Sequence, residues 1–550
     1  MRPGRLALTV AVLAVLVVPA GADVHADWVA EYDGPAGLDD AACAVATDPY
    51  GNVYVTGKSE KADAFDDYAT VKYAPNGSVV WAERYDGIGA RIDNARDIAV
   101  DASGNVYVTG LSWNDTTDYD YATVKYGPGG DGEWVAFYNG PGDCADYPSV
   151  ITVDGAGNVY VAGFSCGLGS NPDYVTIKYG PDGGEEWVAT YSGPRDLVDV
   201  VRDIAVDDAG YVYVTGQSEG TGTSSDFATI KYAPNGDEEW VARYDGPGHH
   251  ADSGYAIGLD DAGNVYVTGE SWSPESEDDI VTIMYDADGA EEWVAIYDGP
   301  AGDDDMAQGI SVDGSGDVRV AGMSHGSGVD FDYVTIAYDS EGTEEWASRY
   351  DGGCGDDLAF ALVTDDAGNT YVTGRSWGGA STCYDYATVK YDVGGTEEWV
   401  ARYDGKGGQL DEALDIALDS TGRVCVTGRS GDGMTGYDYA TIVYSEGGVT
   451  GIDEGVGLAR RVQQSMPNPF SATTVLSFEL PRPALVSVSV HDVSGRLVRT
   501  LLTDVGRGVG RHAVSWDGFD NDGQQAASGI YFFRIQVGTE AVTRKTVFLR

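Results

Sequence analysis

From Trp28 to Tyr444 the chain alternates apolar and polar residues in short runs, and each run ends at Gly, Pro, Asn or Asp. One stretch shows the pattern in full: Trp81 to Tyr85, then Asp97-Ile-Ala-Val-Asp101, then Asn105-Val-Tyr-Val-Thr-Gly110, then Asp120-Tyr-Ala-Thr-Val-Lys-Tyr126. Period-two alternation in runs rich in Val, Ile, Tyr and Thr predicts half-buried β-strands. No sustained helical periodicity and no helix start signal interrupts them.

The same four runs recur every 53 residues, marked by Trp28, Trp81, Trp134, Trp187, Trp240, Trp293, Trp346 and Trp399. A fixed period of this length is the mark of a repeat architecture. Four short antiparallel strands per unit predict the blade of a β-propeller. Closing the units into a ring removes the two exposed edges that a linear pile would leave. The first unit opens with a Trp strand, and the last has none after Tyr444. Trp28 to Tyr32 is therefore expected to complete the last blade beside Tyr437 to Tyr444. The expected fold is all-β: an eight-bladed propeller of four-stranded antiparallel blades over residues 27–446, with seven blades as the rival count.

The stretches of the form Asp-x-x-Gly-Asn-Val-Tyr-Val-Thr-Gly, as in Asp101 to Gly110, and the Gly-x-x-x-Trp before each outer strand resemble the bacterial propeller repeats known as SBBP repeats. The resemblance covers roughly Trp28 to Tyr444. It implies a secreted or surface propeller with no assigned reaction, and it speaks to fold rather than chemistry.

Eight copies allow an internal comparison: what every blade carries serves the blade, and what one blade carries is free to serve a ligand. The Trp residues recur throughout and are expected as packing wedges buried between sheets. Gly57, Gly110, Gly163, Gly216, Gly269, Gly322, Gly374 and Gly428 recur too, and are expected where the second strand turns. Asp48, Asp101 and their equivalents, and Asp67, Asp120 and theirs, read as acceptors for turn amides. A further set, Asp40, Asp93, Asp146, Asp199, Asp252, Asp305, Asp357 and Asp411, opens the inner strands that line the channel. Eight carboxylates ringing one mouth would repel, and a hard cation such as Ca²⁺ would relieve them. That ring is the candidate metal site; the alternative is a set of loop caps turned into adjacent backbone.

Charge narrows the partners. Asp and Glu number 89 against 33 Lys and Arg, a formal charge of -56. From Ile452 onward there are 11 basic and 9 acidic residues, which leaves 22 and 80 to the remainder. Such a surface argues against nucleic acid and anionic membranes and suits cations, cationic partners or simple solubility. Arg2 and Arg5, the apolar run Leu6 to Val18 and Ala20-Gly21-Ala22 read as a secretory signal over residues 1–22, with Ala26 as a second possible cleavage point. No later stretch is apolar and long enough for a membrane helix.

Export makes disulfides plausible. Cys144 and Cys166 fall in two loops on the same face of one blade, and Cys354 and Cys383 in the same two loops of another. These are the expected pairs, with Cys43 and Cys425 free and buried. Trp113, Trp272 and Trp377 break the repeat on that face and are candidate ligand-binding residues, for stacking on sugars or partner side chains. Each is equally suited to covering its own loop. His249, His250 and His325 lie on the same face without a metal-binding motif. No catalytic motif is present, and no catalytic residue is assigned. Quinoprotein dehydrogenases share the blade number but carry neighbouring cysteines that this chain lacks.

At Ile452 the period stops. After a linker over 447–464 come Pro467-Asn-Pro-Phe470, Thr474-Val-Leu-Ser-Phe-Glu-Leu-Pro481, Val486 to Arg496, His512-Ala-Val-Ser-Trp-Asp-Gly518, Ser528-Gly-Ile-Tyr-Phe-Phe-Arg534 and Thr543 to Arg550. These predict about seven strands in a small Ig-like sandwich over 465–550. The segments, in this order, resemble the C-terminal sorting domain of type IX secretion cargo, a relative of FlgD-type Ig-like domains. That resemblance implies type IX secretion machinery as a partner and delivery to the outside, or to the outer membrane surface, of a Gram-negative-type bacterium. The expectation is thus an exported, monomeric binding or scaffold protein that meets a glycan or surface protein on one propeller face. The alternative is a secreted carbohydrate-active enzyme, a hydrolase or lyase, using loop carboxylates.

Overall fold

The computed structural model describes residues 24–446 and 470–549, apart from short stretches within loops. The expected signal segment and linker lie outside the described residues. The chain divides into two compact units, Met1–Glu446 and Gly447–Arg550.

The first unit is a ring of eight four-stranded antiparallel sheets. Blade 1 runs from the channel outward as Asp40–Thr47, Val53–Glu60, Asp66–Tyr73 and Val79–Tyr85. Blade 8 takes three strands from the end of the repeat, Asp411–Leu418, Val424–Gly431 and Tyr437–Glu446, and its outer strand from the beginning, Val24–Tyr32. Tyr32 pairs with Tyr439 and Trp28 with Val443. The ring is thus closed by the N-terminal strand, as the missing last Trp strand foretold.

The core is divided among the gaps between blades. One cluster joins Tyr54, Tyr68 and Trp81 of blade 1 to Ile98, Val106, Val108 and Val124 of blade 2. The cluster at the seam joins Tyr32, Cys425 and Tyr439 of blade 8 to Val45, Val53, Val55 and Val71 of blade 1.

The Trp residues differ from expectation. Trp81 and Trp399 are buried, but the other six are half-buried at the outer rim. The reason is their polar edge. Each indole N–H donates to the turn of the following blade, as Trp81 to the Pro128 carbonyl at 3.2 Å and Trp28 to that of Pro75 at 3.2 Å. The ring covers a turn glycine held at positive φ: a Cβ on Gly183 (φ 81°) would lie 2.6 Å from the Trp134 ring. Trp399 donates instead to Glu446 Oε1 at 2.8 Å.

The second recurrent glycine also acts differently. Gly57 lies within its strand, not at a turn, and faces Ala42 just before a β-bulge in the inner strand. A Cβ there would come within 2.1 Å of the Ala41 carbonyl oxygen. The bulge recurs in all eight blades, which is why the glycine does.

The second unit packs a two-stranded sheet, Thr474–Leu480 with Gly510–Trp516, and a four-stranded sheet around one core. The larger sheet has the order Leu497–Arg507, Ala484–Asp492, Gly529–Val537, Glu540–Phe548. Phe470, Phe478, Trp516, Phe533 and Phe548 fill the interior. Six strands form among the described residues, against the seven expected.

Candidate functional site

The recurrent aspartates separate by what their oxygens touch. Asp48 and its equivalents cap the turn after the inner strand: Asp48 Oδ1 accepts the N–H groups of Tyr50 and Asn52, and Oδ2 accepts Asn52 Nδ2 and the Tyr54 hydroxyl. Burial raises its pKa, but these donors outweigh that and hold it below the usual carboxylate range.

The eight aspartates expected as a metal ring are distributed one to a blade junction. Each is buried, and one oxygen accepts a backbone N–H from the connecting loop, as Asp40 from Gly34 at 2.6 Å, Asp146 from Gly140 at 2.7 Å and Asp411 from Gly405 at 2.9 Å. Asp93, Asp199, Asp252, Asp305 and Asp357 do the same with Gly87, Gly193, Gly246, Gly299 and Gly352. A carboxylate turned into its own loop cannot converge with seven others on the channel, so the ring is not built. Burial, against donors from Ser430 and Gly405, pushes Asp411 up to about 7.

Nearer the channel the structure holds a feature that sequence reading missed. Asp97, Asp203 and Asp415 follow the bulge in blades 2, 4 and 8, and each accepts an N–H from the inner strand of the next blade. The donors are Ile151 at 2.8 Å, Ile257 at 2.9 Å and Val45 at 2.7 Å. Other blades have Ala44, Val150, Ala256, Gly309 or Ala361 there. Burial pushes Asp97 up to about 8, the two amides pull it down, and Asp415 and Asp203 add to the rise. Burial likewise takes Asp203 and Asp415 to about 6.

The irregular residues lie on the opposite side of the blades from the Asp48-type turns, on the face formed by the loops into the inner strands and the hairpins between second and third strands. A disulfide joins Cys144 and Cys166 there, with Cα atoms 6.1 Å apart. Cys383 is a free cysteine, which departs from its expected pairing with Cys354; Cys354 lies outside the described residues. Cys43 and Cys425 are free, and burial pushes both thiols far up.

Trp113, Trp272 and Trp377 sit in blades 2, 5 and 7 and do not converge on one site. Trp272 packs on His250, ring centroids 4.1 Å apart, and Trp377 meets Tyr384 edge-on at 5.1 Å. Trp113 meets Tyr119 edge-on at 5.1 Å under the Arg91 guanidinium, and also borders a recess of about 260 Å³. Ile88, Ser112, Asn114, Thr117, Phe137 and Asn139 complete its lining with Asp120.

Phe137 and Asn139 explain why a recess exists here. Blades 1, 4, 6 and 7 carry arginine at the position of Phe137. There Arg84, Arg243, Arg349 and Arg402 bind Asp67, Asp226, Asp332 and Asp385 at 2.8–3.1 Å. In blade 2 the guanidinium is replaced by an aromatic ring 43% exposed, and Asp120 Oδ2 accepts from Asn114 and Thr117 instead. The result is an aromatic and amide-lined hollow without a basic group. A second hollow of about 380 Å³, on the opposite face between blades 6 and 7, exists because Arg319 stands where most blades have a tyrosine. It is lined by Arg319 and by Asp313, Asp317, Asp365 and Asp366.

The family model described as a β-propeller repeat (SBBP) matches residues 84–115, 186–222 and 239–274. The model described as a FlgD Ig-like domain matches residues 465–541. This chain carries SBBP propeller repeats and a FlgD Ig-like domain. No curated protein matches it. Among solved structures it is similar to PorZ of Porphyromonas gingivalis, a surface component of the type IX secretion system. That match has 13% identity, a TM-score of 0.29, and covers 92% of this chain and 81% of PorZ. It is also similar to the β-propeller domain of the trilobed protease of Pyrococcus furiosus, with 8% identity, a TM-score of 0.38, and coverage of 64% and 95%. A puromycin hydrolase matches with 11% identity, a TM-score of 0.42, and coverage of 70% and 58%. Likenesses this distant carry no argument about function.

Proposed function

We propose that this SBBP-repeat protein is an exported, non-enzymatic binding or scaffold protein that meets its partner through the irregular loop face, with the Trp113 recess as the principal contact. The observation that carries the reading is the replacement of the repeat's arginine by Phe137. It turns an internal ion pair into an open hollow bordered by Trp113, Ile88 and two amide side chains. Aromatic rings beside amides and hydroxyls suit a sugar ring or a partner's apolar side chain. The recurring carboxylates described above are engaged by backbone amides, so a hydrolase or lyase reading takes second place.

A glycan and surface-protein array probed with the full chain tests this. Trp113→Ala and Phe137→Arg are each expected to weaken binding at least tenfold, with no product formed. Product formation would transfer the protein to the carbohydrate-active class, and binding unaltered by both variants would remove the recess from consideration.

The FlgD Ig-like domain supports the second half of the proposal: delivery by type IX secretion machinery to the cell surface or the medium. Deleting residues 465–550 is expected to leave the propeller in the periplasm; unchanged export would remove the sorting role.

A further inference from the structure

The blade junctions keep a charge account that the ones after blades 5 and 8 break. Each junction gathers the aspartate before a third strand, the residue two after the arginine position, and the buried aspartate of the next inner strand. Where arginine is present the middle residue is acidic: Arg84 with Asp86, Arg243 with Asp245, Arg349 with Asp351, Arg402 with Asp404. In blades 2 and 3 arginine is absent, as Phe137 and Thr190, and so is the acid, as Asn139 and Ser192. In blade 8 Glu31 replaces the arginine and Asp33 is retained; Lys406 pairs with Glu31, and Asp33, Asp40 and Asp438 form an acidic trio. In blade 5 Ile296 replaces the arginine, yet Asp298 is retained.

At this junction one carboxylate oxygen each from Asp279, Asp298 and Asp305 lies within 4.8 Å of the others. Asp279 is 4% exposed; the Ser276 hydroxyl donates to its Oδ2 at 2.6 Å, and its buried Oδ1 has no hydrogen-bond partner. Asp305 is fully buried and engages the Gly299 N–H through Oδ2. Arg349 of the following blade is committed to Asp332 and Ser324. A second acidic group, Glu277, Asp303 and Asp304, lies at the same junction, where His325 pairs with Asp303 at 3.3 Å. Burial comes first in raising Asp279 and Asp305, and the neighbouring acids, Asp298 for the former and Asp279 for the latter, add to it. Three carboxylates in this space repel unless a positive charge stands among them.

We propose that a divalent cation of the calcium class binds between blades 5 and 6, held by Asp279, Asp298 and Asp305, in the role that a guanidinium fills in blades 1, 4, 6 and 7. Oxygen ligands from mixed carboxylates and a nearby hydroxyl, with open positions for water, suit a hard cation of high and flexible coordination number. Ile296 leaves no basic side chain of blade 5 at the place; the Arg349 guanidinium of blade 6 bears on Asp305 but is bound to Asp332 and Ser324. The site rests on charge balance within the repeat and is independent of the Trp113 recess.

The test uses the full chain, stripped with chelator and titrated with Ca²⁺ by calorimetry and thermal melting. Wild type is expected to take up Ca²⁺ with a rise in Tm of a few degrees at saturation. Asp298→Asn should weaken uptake at least tenfold. Ile296→Arg should abolish it at this junction while keeping the Ca²⁺-free Tm at or above that of stripped wild type, because the guanidinium restores the repeat's own solution. Asp404→Asn, at a junction that keeps Arg402, should leave uptake unchanged. No heat and no Tm change in stripped wild type overturns the proposal, as does uptake indifferent to both Asp298→Asn and Ile296→Arg.

Discussion

The Tyr439 hydroxyl donates to the Ala69 carbonyl at 3.1 Å, and the Tyr68 hydroxyl donates to the Ala122 carbonyl at 3.1 Å. The first bond joins residues 370 apart in sequence and the second residues 54 apart, yet both are the same tie from one blade to the next. The seam between last and first blades is therefore tied as the junctions after blades 1, 3, 6 and 7 are, whereas Phe227 and Ile280 take the tyrosine's place in blades 4 and 5.

Tyr439→Phe and Tyr68→Phe should then cost alike, on the order of 1–2 kcal/mol, since each removes one buried hydrogen bond between blades. Urea unfolding monitored by circular dichroism checks this. A seam that breathes open would make Tyr439→Phe silent while Tyr68→Phe is not.

The rim tryptophans should differ from the buried one. Trp399→Ala removes a fully buried indole and is expected to cost roughly 3–5 kcal/mol. Trp187→Ala, at a half-buried site, should cost about half as much. Gly183→Ala should also destabilise, because the new methyl would meet the Trp134 ring in a backbone conformation unfavourable to alanine. Paired denaturation curves give the comparison.

The channel aspartates set a pH dependence. An unfolded aspartate titrates near 3.9, whereas Asp97 is raised to about 8 and Asp203 and Asp415 to about 6. The folded state holds these protons more tightly, so their contribution is complete below about pH 4 and is lost as pH rises toward 8. The Asp48-type caps are shifted the other way and contribute above about pH 4, fading on acidification. Tm should decline from pH 5 to pH 8, and Asp97→Asn should flatten that decline. A wild-type Tm that climbs over this range would contradict the assignment.

Thiol labelling should find Cys144 and Cys166 protected until reduction, Cys383 reactive in the native state, and Cys425 reactive only on unfolding. Reducing the Cys144–Cys166 bridge should lower stability by roughly 2–4 kcal/mol.

Much of the fold was legible because its determinants are periodic. The Trp period and the absent outer strand after Tyr444 were enough to reach a closed ring of eight. What stayed hidden depends on which backbone amide a side chain reaches. Gly57 reads as a turn residue until the bulge opposite it is seen, and the Asp40 set reads as a ring until each carboxylate is found bound to its own loop. Asp97, Asp203 and Asp415 occupy only three of eight blades, so a filter for uniformity passes over them. The pairing of Arg84 with Asp86, and its failure at Ile296, was visible in the sequence as a correlation at two positions flanking a tyrosine. Its meaning required the third carboxylate, which folding brings from another strand.

The pairing of Val24 with Glu446 places the start and finish of the propeller side by side on neighbouring antiparallel strands. A pull applied through these two chain ends bears on the hydrogen bonds of the seam one after another, from Val24 inward, and peels them as a zipper opens.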